Sequence, residues 1–149
     1  MDVKTTFLNG VVEEEVYVEQ PLSFETHDRE NHVCKLKKAL YGLEQAPRTW
    51  YNRIDSFLSS LGFTKSKVVS NLYYKVEEGN HVILLLYVDD LFVAGEDGLI
   101  VDTKRKLVVE FEMKELGMMH YFLGLEVWKN ADGISLGQGK YAKISVSLV

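Results

Sequence analysis

Asp89 and Asp90 are adjacent carboxylates set between two apolar runs, His81 to Val88 and Leu91 to Gly95. Two carboxylates this close repel, and one is hard to ionise unless a cation lies beside them. Hard divalent cations such as magnesium take carboxylate oxygens and keep substrate phosphates in their coordination shell. Taken alone, the pair reads more readily as a plain polar turn, because aspartate is a normal turn residue. A third carboxylate bears on the choice. Asp2 heads the segment Asp2-Val3-Lys4-Thr5-Thr6-Phe7, which reads as a strand leading into a turn. If that strand pairs beside the Asp89 hairpin, Asp2 and Asp89 converge. Two metal ions about 3.5–4 Å apart could then be bridged, the arrangement of phosphoryl and nucleotidyl transfer. The competing reading makes Asp2 an exposed residue at a fraying terminus.

A second constellation is basic. Lys35, Lys37, Lys38, Arg48 and Arg53 lie among Tyr41, Trp50 and Tyr51. Cations interleaved with aromatics suit a phosphate backbone with bases stacked on rings. Equally, Trp50 and Tyr51 can belong to a helix core and the lysines to solvent; for Trp50 the core reading is preferred. Gly42, in a Tyr-Gly-Leu turn, would let a backbone approach a ligand closely. His27, His32, His81 and His120 show no metal-ligand spacing. No P-loop, dinucleotide fingerprint or nucleophile elbow occurs.

The elements that must position these residues follow from periodicity. Trp50, Tyr51, Ile54, Phe57, Leu58 and Leu61 recur at helical spacing, so Pro47 to Leu61 is a helix, with Pro47 in its first turn and Gly62 past its end. A second helix is expected from Gly98 to Glu112. Strands are expected at Val3 to Leu8, Asn71 to Val76, His81 to Val88 (apolar enough to be covered on both faces), Leu91 to Gly95, Tyr121 to Lys129 and Ile134 to Leu136. Residues 21–32 read as a polar loop, Glu13-Glu14-Glu15 as a short exposed helix or turn, and the residues from Gln138 as the start of a further element. The fold class is α+β or α/β.

The 149 residues suit one domain, with 46% hydrophobic and 26% charged residues as in ordinary globular chains. Cys34 is the single cysteine, which excludes a disulfide scaffold and fits a reducing compartment. No signal peptide or membrane-length apolar run is visible. The net charge of −5 argues at first against a nucleic-acid partner. It is unevenly spread. Residues 1–30 and 68–100 are acidic, whereas residues 31–67 carry seven lysines and arginines against Glu44 and Asp55.

Several stretches resemble one family in order. Asp2-Val3-Lys4-Thr5-Thr6-Phe7-Leu8-Asn9-Gly10 and Glu13-Glu14-Glu15-Val16-Tyr17-Val18-Glu19-Gln20-Pro21 are similar to the opening of the copia-type retrotransposon reverse transcriptase. So are Cys34 to Tyr51, containing Leu40-Tyr41-Gly42-Leu43-Glu44-Gln45-Ala46-Pro47-Arg48, and the Tyr87-Val88-Asp89-Asp90 box. Phe111 to Gly117 and Tyr121 to Val127 complete the series.

The resemblance implies an α+β polymerase palm, an antiparallel sheet backed by helices, truncated at both ends. Residues 1–149 would hold the palm and part of the fingers, without thumb or RNase H region. It implies RNA-dependent DNA polymerisation: attack of a primer 3′-hydroxyl on a dNTP, assisted by two magnesium ions, with manganese as a substitute. By resemblance Asp2, Asp89 and Asp90 form the metal triad and the Val3 carbonyl joins them. The Thr5 and Thr6 amides face the phosphates, and Phe7 is the steric gate against a ribose 2′-hydroxyl. Tyr41 and Gly42 form the nucleotide turn, Lys114 is a proton donor to pyrophosphate, and Gly124 lies in the primer-grip strand. The implied partners are an RNA or DNA template with primer, a dNTP and the rest of a larger polyprotein, with no membrane. Cytoplasm is the default location; a virus-like particle or the nucleus is also compatible with the family. The chain departs from the family's usual residues at Thr6 (alanine), Glu44 (lysine) and Val11 (an acid). A catalytically inactive remnant that at most binds nucleic acid or a partner is the first rival. A palm-like nucleotidyl cyclase or metal-dependent nuclease is the second, and the ordered stretches count against it.

Overall fold

The structure is a computed structural model that describes residues 1–22, 24, 32–122, 124–130, 133–139 and 142. Most of the expected 21–32 loop, and the residues after Gln138 apart from 139 and 142, lie outside them. The chain divides into two compact units, Met1–Lys114 and Glu115–Val149.

The first unit is built on a six-stranded sheet. Strand β1 is Asp2–Val3, and a single 3-10 turn, Thr6–Asn9, follows it. Strands β2 (Tyr17–Val18) and β3 (Cys34–Lys35) pair apart as a small ribbon. Helix α1 is Ala46–Ser60, then come β4 (Thr64–Lys65), β5 (Leu72–Glu77), β6 (Asn80–Tyr87) and β7 (Asp90–Gly95). Helix α2 is Asp97–Glu110 and β8 is Met113–Lys114. The sheet runs β4-β5-β6-β7-β1-β8, and every neighbour pair is antiparallel.

Both helices form as expected and pack on one face of this sheet. Trp50, Ile54 and Leu58 from α1, with Leu107 from α2 and the adjoining Phe111, meet Val3, Tyr73, Val82, Leu84, Leu86 and Leu91 in one buried cluster. Phe111 stands edge-on to Trp50 and to Phe57, with ring centroids 5.3 and 5.2 Å apart. Strand alternation sends the other residues of β6 outward: His81, Ile83 and Tyr87 are exposed. The expectation that this strand is covered on both faces is therefore corrected. Its apolar run is continuous, yet only the helix-bearing side is buried.

Two further expectations change. Val3 to Leu8 is not one strand: β1 ends at Val3, Thr5 takes a left-handed backbone (φ 51°, ψ 40°), and the 3-10 turn follows. The buried Thr6 hydroxyl donates to the Val3 carbonyl at 2.8 Å, folding the chain back on itself. Glu13-Glu14-Glu15, expected as a short exposed helix or turn, is exposed and bends at Glu14 without forming a helix. Gly10 closes the segment against α1, where an added Cβ would stand 2.7 Å from Thr49 Oγ1 and 3.1 Å from the Trp50 amide.

The second unit holds β9 (Tyr121–Phe122), β10 (Leu125–Asn130) and β11 (Gly133–Gly137) in the antiparallel order β11-β10-β9. The single strand expected over Tyr121 to Lys129 is thus two, because Gly124 (φ 80°) turns the chain between them. The hairpin between β10 and β11 forms as expected.

Candidate active site

Register gathers the acids. Asp2 is directly opposite Asp90 across β1 and β7, and directly opposite Lys114 across β1 and β8. Tyr87 opposes Asp90 across β6 and β7. Opposed residues of antiparallel strands share a face, so Lys114, Asp2, Asp90 and Tyr87 make one row. Their neighbours Val3, Leu91 and Leu86 point into the core, which puts the row on the side away from the helices. Asp89 sits in the two-residue turn at the end of this row, between Tyr87 and Asp90.

Backbone bonds stitch the turn to β1. The Val3 amide donates to the Asp89 carbonyl at 2.9 Å, the Leu91 amide to the Met1 carbonyl at 2.8 Å, and the Lys4 amide to the Glu112 carbonyl at 2.8 Å. The electrostatics report the crowding. Burial pushes the Asp90 carboxyl above its ordinary value, the Asp89 and Asp2 carboxylates push it further, and the Met1 amino group opposes them. Hard carboxylate oxygens that repel one another suit a divalent cation in kind. Among the described residues, however, no three His, Cys, Asp or Glu side chains are gathered closely enough to hold a metal ion. The donors are adjacent, and binding would have to draw them together.

The remaining predicted residues fall into a second group. Phe7, in the 3-10 turn, meets Tyr41 edge to face with ring centroids 4.6 Å apart. Gly42, next to Tyr41, has open space around its Cα. Thr5 is exposed, whereas Thr6 is wholly buried against the Val3 carbonyl. Lys114 stands beside Asp2, as the register shows. Gly124 belongs to the second unit.

The basic segment is partly spent within the fold. Lys35 pairs with Glu15 and lies over the Tyr17 ring. Arg53 pairs with Glu110 and lies over Phe111. Lys65 binds Asp55 at 2.8 Å. Arg48 lines a cavity of about 340 Å³ with Glu13, Glu14, Gln45 and Asn52.

Sequence reasoning placed Trp50 in the core, where its ring is 2% exposed. It missed the second role of that side chain: the indole N–H donates to the Val88 carbonyl at 2.7 Å. The signal available was general, since a buried tryptophan N–H needs an acceptor.

A row of carboxylates thus lies on the helix-free side of an antiparallel sheet, with an aromatic pair beside the leading strand. A family model described as reverse transcriptase (RNA-dependent DNA polymerase) matches residues 1–147, and the chain belongs to this family. It is 46% identical over 145 residues to a retrovirus-related Pol polyprotein from transposon TNT 1-94 of Nicotiana tabacum, covering 95% of this chain and 11% of that protein. It is 40% identical over 142 residues to the Pol polyprotein from transposon RE1 of Arabidopsis thaliana, covering 95% of this chain and 10% of that protein. It is 36% identical over 134 residues to a putative transposon Ty5-1 protein of Saccharomyces cerevisiae, covering 89% of this chain and 44% of that protein. The chain thus spans about a tenth of the Pol polyproteins it matches. No solved structure matches it. The relatives it matches place it among the copia-type members of this family. Among the described residues no helix is long and apolar enough to cross a membrane.

Proposed function

We propose that residues 1–149 form the palm and part of the fingers of a reverse transcriptase that adds deoxynucleotides to a primer 3′-hydroxyl on an RNA or DNA template. The observation that carries this is the register of Asp2 opposite Asp90, which brings the acid at the head of the chain to the Asp89-Asp90 turn 87 residues later. Asp2, Asp89 and Asp90, with the Val3 carbonyl, are the donors that would hold magnesium; manganese fits the same oxygens. When bound, the metal supplies Lewis-acid assistance to the attacking hydroxyl and charge neutralisation at the triphosphate.

The chain's own residues do the rest. The sheet fixes the acids on its open side, where a primer end can reach them. Thr5, exposed in its left-handed turn, faces the triphosphate; the buried Thr6 shapes that turn through the Val3 carbonyl. Phe7, buttressed by Tyr41, fills the space a ribose 2′-hydroxyl would need and so selects deoxynucleotides. Gly42 leaves room for the base pair beside that ring. Lys114, beside Asp2, is placed to give a proton to departing pyrophosphate. Template and primer contact the exposed basic side chains that internal acids leave unpaired, such as Arg48.

The test is primer extension by the purified chain with magnesium on an RNA template, with Asp89→Asn alongside. Extension that the substitution abolishes supports the proposal. Extension no greater than that of Asp89→Asn refutes it and identifies an inactive member of the family.

A further inference from the structure

The turn that carries Asp89 is built on an unfavourable residue. Tyr87 pairs with Asp90, so Val88 and Asp89 form a two-residue hairpin loop. Its first residue has positive φ: Val88 lies at 54°. Hairpins of this length place glycine or asparagine where φ is positive, and a β-branched residue there is a genuine outlier. The Val88 side chain is 52% exposed, so little packing compensates. What meets this residue is the indole of Trp50, whose N–H donates to the Val88 carbonyl at 2.7 Å. Trp50 is itself immobilised. It is buried in α1 and stands edge-on to Phe111. The next carbonyl, that of Asp89, accepts from the Val3 amide. One donor therefore comes from the helix layer and one from β1, on consecutive carbonyls of a strained loop.

We infer that Trp50 is a positioning residue for the metal-binding acids: its indole N–H locks Val88 in the left-handed conformation and so sets where Asp89 stands and where β1 docks with Asp2. The inference rests on the proposed role of Asp89 as a metal ligand, and it reaches a residue 39 positions away on another element. The lock acts through one N–H. A phenylalanine keeps most of the ring and its packing while losing the donor. A glycine at position 88 adopts positive φ without strain, so it makes the lock dispensable. A packing role for Trp50 does not have that second property.

The experiment compares the unsubstituted chain, Trp50→Phe, Val88→Gly and the double variant. Manganese binding is read by electron paramagnetic resonance, and exchange of the backbone amides of residues 88–91 by NMR. Trp50→Phe is expected to weaken manganese binding and to speed exchange in the turn by about tenfold each, the worth of one ordinary hydrogen bond. In the Val88→Gly background the same substitution is expected to cost no more than about twofold, a non-additivity that direct coupling requires. Equal losses in both backgrounds, or no loss in either, overturn the inference. If the unsubstituted chain binds no manganese, the metal-site reading fails, and the exchange rates alone then decide the lock by the same comparison.

Discussion

Replacing Asp90 by asparagine should make the metal-free protein more stable. Asp90 lies directly opposite Asp2 and next to Asp89. Opposed side chains in an antiparallel pair have Cβ atoms about 4.5–5.5 Å apart, which puts the charges at roughly 6 Å. Coulomb's law gives about 0.7 kcal/mol per pair at the dielectric of water and about 2.8 at an effective value of about 20. The site is only half buried, and like charges directly opposite in sheets cost roughly 0.2–1 kcal/mol, so the low end applies. Two such repulsions amount to about 1–2 kcal/mol. For the 114-residue unit Met1–Lys114, an unfolding entropy of about 2.1 cal/mol/K per residue converts this to a rise in Tm of about 4–8 °C.

The assay is thermal unfolding by circular dichroism in EDTA across a pH series. The folded state holds the Asp90 carboxyl above its ordinary value of 3.8. Its contribution to stability is fully present below 3.8 and is lost as pH rises through the folded-state value. The gap between Asp90→Asn and the parent should therefore be absent at pH 3 and open as pH rises above 3.8. Magnesium should narrow the gap. At ten times Kd it stabilises the parent by about 1.4 kcal/mol, and the variant, lacking one ligand, gains less. An Asp90→Asn chain that melts at or below the parent in EDTA at pH 7 would refute the repulsion argument.

Phe7→Ala should lower discrimination against ribonucleotides roughly 10–100-fold, since the ring and its Tyr41 contact are gone; primer extension with paired rNTP and dNTP series measures it, and an unchanged ratio would remove Phe7 as the gate. Asp55 behaves oppositely to Asp90. Burial pushes its carboxyl up, but hydrogen bonds from Lys65 (2.8 Å) and Tyr73 (2.6 Å) outweigh this and hold it below 3.8. Its stabilisation is present above 3.8 and lost as pH falls through the folded-state value. Asp55→Asn should cost about 1 kcal/mol in urea unfolding at pH 7, kept low by solvent screening, and nearly nothing at acid pH; equal costs at both would show that the charge is irrelevant.

The parts legible in the sequence are those that periodicity and turn chemistry encode locally. The α1 stripe from Trp50 to Leu61 and the existence of a hairpin at the acids needed nothing beyond spacing, but its loop is Val88-Asp89 and Asp90 opens β7, one residue from the expected Asp89-Asp90 turn. The adjacency of Asp2 and Asp90 was conditional on a strand pairing that no local signal specifies, and the sheet order β7-β1-β8 supplies it. The left-handed Thr5 was invisible because threonine has no preference for that conformation, and the local bond beside it, from the Thr6 hydroxyl to the Val3 carbonyl three residues back, is one of several a threonine can make. The one-sided burial of β6 was equally hidden. A run such as Ile83-Leu84-Leu85-Leu86 reads the same whether helices cover one face or two.

Gly10 acts as a mechanical stop. A methyl there would strike Thr49 and the Trp50 backbone, so the far end of the Thr6–Asn9 turn is clamped to α1 with no slack. Its near end is tied separately, through Val3, to the Asp89 carbonyl. Phe7 hangs between these two anchors, and the helix reaches both: α1 meets Gly10 at one end and, through the Trp50 indole, holds the Val88 carbonyl beside Asp89 at the other. On the proposed reading, choice of sugar and ability to form the bond share one support, and damage to the helix removes both together.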